Sequence, residues 1–463
     1  MTPTPRAAAS SAWSAWQVVL GFGVVSLTVD LVADGAKSIA GPLLGELGAN
    51  ALTVGLVTGS AEAIGFILRL LSGPAVDRSR RYWAFTIGGY ALTGLCVPLL
   101  AITPWLGAAG LGVAAALILT ERAGKAIRSP AKTVLLSHAA HAVGRGQGFA
   151  VHKTLDQVGA FLGPLLVAAV IALTGALWPA FAALALPALV ALVVLFWMRR
   201  SVPDPSVYEP QPVAPPSGAT AASASADGAR AGEAPANQAR AGEGPGNEVP
   251  TSEARASEAR AGQARTAEGR GGIPVTVLLF SLSTALTTFG LVGFGIISFH
   301  LSDREMIPVA AVPLVFSVGM VAAAVAALAS GRLYDRMGAA VLLAVPVLVV
   351  AIPALTLSSA LGAVIVGVAL WGAATGIQDS TVKALLADLV PAGRRGTAYG
   401  VFAVFQGAGT FAGAAVAGLL YPDAAALSLL TVPAQALALL LLLVVVARRR
   451  RALKAEAASA PTE

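Results

Sequence analysis

Long apolar segments recur along this sequence, and they limit the folds open to it more than any other feature. Runs of about 18 apolar residues or more occur in both halves of the 463-residue chain, and a helix needs about 20 such residues to cross a bilayer. Charged residues make up only 12% of the chain, about half the share typical of a soluble domain. The sequence therefore predicts an all-α integral membrane protein, and the lack of alternating apolar strands excludes a membrane β-barrel.

Hydrophobic windows predict twelve transmembrane helices in two groups of six, separated by a polar segment. That segment consists mainly of Ala, Gly, Pro, Ser, Glu and Arg, which leaves little apolar surface to bury. We expect an N-terminal six-helix half at 1–200, a disordered cytoplasmic linker at 201–272, a C-terminal six-helix half at 273–449 and a cytoplasmic tail at 450–463. The predicted spans are 16–37, 52–72, 83–103, 108–130, 146–171, 177–198, 274–300, 308–330, 339–358, 361–386, 396–419 and 424–447.

The connections between these spans sort by charge. One side carries Arg78, Arg80 and Arg81, then Arg199, and finally the basic run 448–451, whereas the other side is nearly uncharged. Basic residues collect on the cytoplasmic side of membrane proteins, so we expect both termini and the linker in the cytoplasm and the protein in the plasma membrane. The net charge of +7 has the same explanation, and we expect no nucleic-acid partner.

Two short sequences recur between the halves. SGPAVDRSRR at 72–81 returns as SGRLYDRMG at 330–338, a shift of 258 positions. RGQGFAVHKTLDQVGAFLGP, which starts at position 145, aligns with RGTAYGVFAVFQGAGTFAGA at a shift of 250, so that Gly159 and Gly163 match Gly409 and Gly413. GFGVVS and GFGIIS match at a shift of 272, which would misregister the helices, and we interpret that match as chance. The repeats predict two halves of shared ancestry.

Two six-span halves with a Gly-x-x-x-Asp-Arg loop after the second helix of each resemble the major facilitator superfamily, over the whole chain except the linker and tail. The second copy of the loop is degenerate, because it lacks the family's final basic pair. The resemblance implies a pseudo-symmetric twelve-helix transporter in which the loop acts as a latch; an alternative for the arginines is that their charge only sets the topology. The matching loop residues are Gly73, Asp77, Arg78, Arg81, Gly331, Asp335 and Arg336.

Two further motifs of that family match in part. Its fourth helix often carries R-x-x-Q-G, in which the Arg is tied to proton coupling; Arg122 occupies the first position here, and Lys125 replaces the Gln. Its proton-driven exporters carry G-x-x-x-G-P in the fifth helix, which implies export, whereas close helix packing through small residues is the alternative. The residues matching this helix-5 motif are Gly159, Gly163 and Pro164.

Ionisable residues inside membrane spans are costly and mark transport pathways by default. A buried carboxyl group holds its proton more tightly, and releases it when a basic side chain approaches. Structural salt bridges are the alternative for at least half of the charges in the fourth and fifth spans. The candidates for proton or cation coupling are Asp30, Asp34, Glu62 and Asp156. The candidates for solute binding or gating are Lys37, Glu121, Arg122, Lys125, Arg128, His152, Gln378, Asp379 and Gln406.

Motifs of other functional classes are missing from the sequence. It contains no Walker loop, no zinc or paired-cysteine signature and no nucleophile motif, so we expect no enzymatic activity, no cofactor and no metal site. The leading hypothesis is a monomeric secondary transporter that exports a small organic solute in exchange for protons, through a site between the halves. An organic-anion transporter, in either direction, and a non-transporting sensor that signals through the linker are the alternatives.

Overall fold

A computed structural model describes residues 13–208, 273–390 and 394–459, and within these ranges every regular element is a helix. The predicted linker falls outside the described residues from position 209 to 272. In chain order the α-helices are α1 (Ala15–Ser38), α2 (Ala40–Glu46), α3 (Ala51–Ser79), α4 (Tyr82–Leu99), α5 (Gly110–Val143), α6 (Arg145–Thr174), α7 (Trp178–Ala183), α8 (Ala185–Ser201), α9 (Val275–Gly290), α10 (Phe294–Asp303), α11 (Val312–Met337), α12 (Ala344–Thr356), α13 (Leu361–Ile377), α14 (Lys383–Asp388), α15 (Arg395–Leu419) and α16 (Ala424–Ser459).

Local sequence explains where the first helices begin. Ser14 and Gln17 form a capping box at the start of α1, in which the Ser14 hydroxyl accepts from the Gln17 amide at 3.3 Å. The Asn50 side chain accepts from the Thr53 amide at 2.9 Å at the start of α3. Each cap satisfies an N–H group that the helix itself leaves free.

Ten helical ranges among the described residues are long and apolar enough to cross a membrane. Two of them, Tyr82–Val143 and Val309–Thr356, contain 62 and 48 residues, more than twice the length that one crossing needs. Each includes two helices joined by a 3₁₀ segment, at Leu100–Ala109 and Gly338–Leu343 respectively. The ten ranges therefore accommodate the twelve predicted crossings, and the all-α membrane fold is confirmed.

The outer surface of the helix bundle is apolar. Leu173 is 86% exposed, Leu429 is 73% exposed and Leu186 is 69% exposed. Water does not favour such a surface, whereas lipid tails do, so these side chains form the lipid-facing side of a multi-pass membrane protein.

Small residues let the helices within each half approach closely. Gly159 and Gly163 of α6 lie against the backbone of Leu27 and Leu31 in α1, where an added Cβ would overlap a carbonyl oxygen. Pro164 continues the same helix. Because lipid tails are as apolar as the side chains, close packing of this kind takes over part of the role that burial plays in water.

The second half repeats this arrangement. Gly409 and Gly413 of α15 lie against the backbone of Ala285 and Phe289 in α9, which come 258 positions after their counterparts in α1. Gly293, the first residue of the GFGIIS sequence that matches at a shift of 272, lies in the break between α9 and α10. The structure thus confirms two pseudo-symmetric halves in the register that the repeats predict.

The two halves meet closely at one end of the bundle. We call the end that carries Arg78, Arg199 and Arg448 the basic face, and the opposite end the far face. Near the far face, Gly41 of α2 lies against the backbone of Gly295 in α10. Gly55 and Gly418 pair α3 with α15 through equally close backbone approaches. These contacts close the structure at its far face.

A hydrogen-bond network joins three connections of the second half at the far face. The Tyr421 hydroxyl donates to Asp303 Oδ2 at 2.8 Å and lies 3.0 Å from His300 Nδ1. His300 Nε2 lies 3.1 Å from the carbonyl oxygen of Ser358. Burial, together with the hydrogen bond to Asp303, raises the pKa of Tyr421 to about 12, so the phenol remains a donor at physiological pH.

Candidate functional site

A cavity of about 280 Å³ lies between the two halves and is lined by both. Its volume is just below the roughly 300–1,000 Å³ of typical ligand pockets, which suits a small solute. Seven side chains that the sequence singles out line this cavity together, although they are far apart in the chain. They are Lys37, Glu62, Glu121, Arg122, Gln378, Asp379 and Gln406.

The N-terminal wall of the cavity is a connected set of ion pairs. Glu62 Oε1 lies 2.8 Å from Lys37 Nζ and 3.6 Å from Arg122 Nη2. Arg122 Nε lies 3.4 Å from Glu121 Oε2. Two bases therefore balance two acids, and α1, α3 and α5 are joined through their charged side chains.

Arg128 lies outside the cavity lining and faces α4. Its Nη1 donates to the Thr93 hydroxyl at 2.5 Å, and its guanidinium group lies 4.4 Å from the centre of the Tyr90 ring. Thr93 in turn donates to Glu121 Oε1 at 3.5 Å. Arg128 is thus engaged by an aromatic ring and a hydroxyl, in a position that supports the cavity wall from behind.

A second charged cluster joins α1, α5 and α6 outside the cavity. Lys125 Nζ lies 3.5 Å from Asp30 Oδ1, and Lys153 Nζ lies 2.5 Å from Asp156 Oδ2. Asp30 and Asp156 are neighbours across α1 and α6, and we call these two residues the carboxyl pair. Two neighbouring carboxylates repel each other when both are charged, so this arrangement suits a pair that shares one proton.

Two other predicted residues lie beside this cluster. Asp34 is half-buried one turn further along α1, outside the cavity lining, and Lys125 is the base that acts on it most strongly. His152 is buried, and its Nε2 lies 3.3 Å from the Ser26 hydroxyl. Its Nδ1 has no hydrogen-bond partner among the described residues. Both groups are therefore near the carboxyl pair rather than at the cavity.

A π-helical turn forms part of the C-terminal wall of the cavity. It spans Gln378–Val382 between α13 and α14, and such turns are rare and frequently occur at functional sites. The residue Gln378 is only 7% exposed, yet its side chain makes no hydrogen bond to any described residue. The sequence carries no signal for this turn, although the polar residues within it mark its position.

The repeated loop motif has no ion pairs of its own among the described residues. Asp77, Arg78 and Arg81 are exposed at the end of α3 and the start of α4, as are Asp335 and Arg336 at the end of α11. The added Cβ of an alanine at the loop glycines would meet open space within 4 Å. The predicted latch role therefore has no contact to support it in this conformation. The two loop glycines are Gly73 and Gly331.

A different cluster links helices at the basic face of the second half. The Tyr334 hydroxyl donates to Asp388 Oδ2 at 3.1 Å and accepts from Arg449 Nη1 at 3.2 Å. Arg449 also pairs directly with Asp388. We call these three residues the basic-face clasp. The sequence offers only one signal for it, since Tyr334 precedes the Asp of the second loop motif.

Replacing Asp388 with Asn is expected to destabilise the second half by about 1 kcal/mol, because Arg449 loses its charged partner in a half-exposed pair. Thermal unfolding of the purified protein, followed by tryptophan fluorescence, measures this effect. The matched control is Asp335→Asn, which removes an exposed carboxylate one residue from Tyr334 and should leave stability within about 0.5 kcal/mol. Equal effects of the two variants would contradict the clasp.

The fold and the cavity define a membrane transporter, and the family model described as Major Facilitator Superfamily matches the chain at residues 22–302 and 272–462. The chain belongs to the major facilitator superfamily and is therefore a secondary transporter of a small solute. An uncharacterized protein of Mycobacterium tuberculosis is 44% identical over 411 residues, which cover 89% of this chain and 88% of that protein.

Solved transporters share this fold at low sequence identity. The inward open conformation of the xylose transporter XylE from E. coli superposes with a TM-score of 0.62 at 13% identity, covering 93% of this chain and 95% of that one. The nucleoside transporter NupG gives a TM-score of 0.59 at 12% identity, covering 92% of this chain and 98% of that one. Identities this low establish the fold only.

Proposed function

We propose that this protein is a proton-coupled transporter that exports a small organic solute by alternating access. The observation that carries the proposal is the carboxyl pair with its two lysines, Lys125 at 3.5 Å from Asp30 and Lys153 at 2.5 Å from Asp156. Two neighbouring acids away from water repel each other less when they share one proton. The pair lies inside the membrane region and next to bases, where a change of neighbours changes its hold on the proton. Proton uptake and release at Asp30 and Asp156 is thus the proposed coupling step.

Helices α1 and α5 each contribute residues both to the cluster around the carboxyl pair and to the cavity wall. On α1, Asp30 belongs to the carboxyl pair and Lys37 belongs to the cavity wall. On α5, Lys125 bonds to Asp30 and Arg122 bonds to Glu62. A movement of α1 against α5 must therefore change both clusters at once. Under this proposal, a change in the protonation of the carboxyl pair therefore changes the ion pairs that line the solute site.

The closed far face supports the alternating-access part of the proposal. Gly41 and Gly295 bring the halves together there, and a transporter must exchange such a closed end for a closed opposite end. Under this proposal the basic face and both termini are cytoplasmic, and the protein works as a monomer in the plasma membrane. The helix-5 glycines, which pack on α1, favour the exporter type through their resemblance alone.

The organic-anion alternative is less well supported by the side-chain contacts. Lys37 and Arg122 already bond to acids in the cavity wall, and Lys125 bonds to Asp30. An anionic solute would have to break these pairs before it could bind. The sensor alternative depends on a linker that lies outside the described residues.

The test is proton movement driven by solute in proteoliposomes that contain an internal pH dye. We expect addition of the transported solute to change the internal pH, with no change in protein-free liposomes. The panel should include small organic cations, neutral solutes and anions. Solute uptake without proton movement would contradict the coupling. If no solute of the panel caused proton movement or solute uptake, transport would be contradicted and the sensor alternative would remain.

A further inference from the structure

The two walls of the cavity differ in how their polar groups are satisfied. The acids of the N-terminal wall, Glu62 and Glu121, are both bonded to bases of the same wall. In the C-terminal wall, the side chains of Gln378, Asp379 and Gln406 have no hydrogen-bond or ion-pair partner among the residues that the structure describes. A solute can therefore form new contacts with the second wall without breaking existing ones.

Gln378 provides the clearest unsatisfied group. Its amide side chain is more than nine-tenths buried, lines the cavity and has no hydrogen-bond partner among the described residues. Because Gln378 lines the cavity without a partner in the described part of the chain, its amide is free to donate to or accept from a bound solute. Gln406 lines the same wall, whereas the nearby Thr375 and Thr410 hydroxyls donate to their own helices.

Asp379 adds a negative charge to this wall. Its carboxylate lines the cavity and makes no ion pair within 4 Å with any described residue. Arg69 and Lys153 act on it only from beyond that distance. With three acids and two bases, the cavity lining carries a formal charge of −1. The uncompensated charge is the one on Asp379.

Most of the remaining lining is apolar or aromatic. Trp371, Phe294 and Phe66 line the cavity, and the rings of Phe294 and Trp371 lie 5.7 Å apart. Aromatic faces attract cations and also pack against apolar groups. The cavity thus combines one free carboxylate, two amides and an aromatic surface in about 280 Å³.

We infer that the cavity recognises a small protonated amine with an apolar body, held by Asp379 through its charge and by Gln378 and Gln406 through hydrogen bonds. The inference rests on the proposed function and specifies the solute class of the same site. The aromatic side chains receive the apolar part of the solute. The N-terminal wall remains paired and moves with the proton cycle.

The test measures equilibrium binding of three probes of similar shape to the purified full-length protein, without a proton gradient. The probes are 2-phenylethylamine, 2-phenylethanol and 3-phenylpropionate, which differ in charge. We expect the amine to bind at least about tenfold more tightly than the alcohol or the acid, as a charge-assisted hydrogen bond requires. Asp379→Asn should remove this preference and leave alcohol binding unchanged, whereas Asp379→Glu should retain it.

The control variant is Glu305→Gln, which neutralises an exposed acid at the far face, outside the cavity lining. It should bind the amine as the parent protein does, and thermal unfolding should show that all variants fold. Equal binding of the three probes, or tighter binding of the acid, would overturn the inference. So would an Asp379→Asn variant that binds the amine normally but loses transport, since Asp379 would then be a gate partner of Arg69. Proton movement driven by any other solute would still support the proposed function in those cases.

Discussion

Replacement of Asp30 with Asn is expected to reduce solute-driven proton movement at least about tenfold while exchange of solute across the membrane continues. Under the proposed function the carboxyl pair loads and releases one proton, because two neighbouring carboxylates repel each other when both are charged. The side-chain amide introduced by Asp30→Asn has nearly the same shape and can donate to Asp156, but it cannot take up or release a proton. Asp156 also keeps Lys153 at 2.5 Å, which stabilises its charged form.

Two measurements on the same proteoliposomes separate these effects. The internal pH dye reports proton movement, and counterflow of labelled solute reports exchange without net proton transfer. We expect the first to fall at least about tenfold and the second to stay within about twofold, because counterflow needs no change in protonation. Glu305→Gln is the matched control, since it neutralises an acid that the cavity and the carboxyl pair do not use. Full proton movement in Asp30→Asn would show that the pair is structural.

The fold was predictable because membrane-spanning length and internal repetition are both written directly in the sequence. A bilayer requires about 20 apolar residues per helix, so each membrane-spanning helix can be recognised from its own sequence, without knowledge of the helices that pack against it. The shift between the halves also predicts that Gly409 and Gly413 do what Gly159 and Gly163 do, and the backbone contacts agree. Repetition carries three-dimensional information because equivalent residues keep equivalent neighbours.

The site was predictable only as a set of residues, not as contacts. Helical spacing places Asp30 and Lys37 on one face of α1, but they lie about 10 Å apart along its axis. Asp30 therefore bonds to Lys125 and Lys37 bonds to Glu62, in two separate clusters. Periodicity specifies the face of a helix, whereas the partner depends on depth and on which helix packs there.

The basic-face clasp illustrates the same limit. The loop motif draws attention to Asp335 and Arg336, yet the bonded residue is Tyr334, which meets side chains from α14 and α16. Those partners lie 54 and 115 positions away, and no local pattern links them. The π-helical turn at Gln378–Val382 was equally unpredictable, because the six residues of α14 that follow it are too few to show the shift in helical periodicity that one extra residue causes.

Replacement of Gly41 with Val is the second variant for which we expect a large effect. A Cβ at Gly41 would overlap the carbonyl oxygen of Gly295, the hydroxyl of Ser298 and the amide of Phe299 in α10. All three groups belong to the other half, so the added side chain acts on the contact between halves rather than on either half alone. The far face would then be unable to close, and transport should fall at least about tenfold because each cycle needs that closure.

The Gly41→Val variant should fold normally yet expose the cavity from the far face. Labelling by a membrane-impermeant maleimide tests this, with a reporter cysteine at Leu291 of the cavity lining and with the single, buried Cys96 replaced by Ala. We expect fast labelling from the far face in Gly41→Val and slow labelling in the parent. The control is Gly112→Val, since a Cβ at Gly112 meets nothing within 4 Å. If Gly41→Val transported normally and its reporter stayed protected, the close approach of α2 and α10 would not be the closure that alternating access requires.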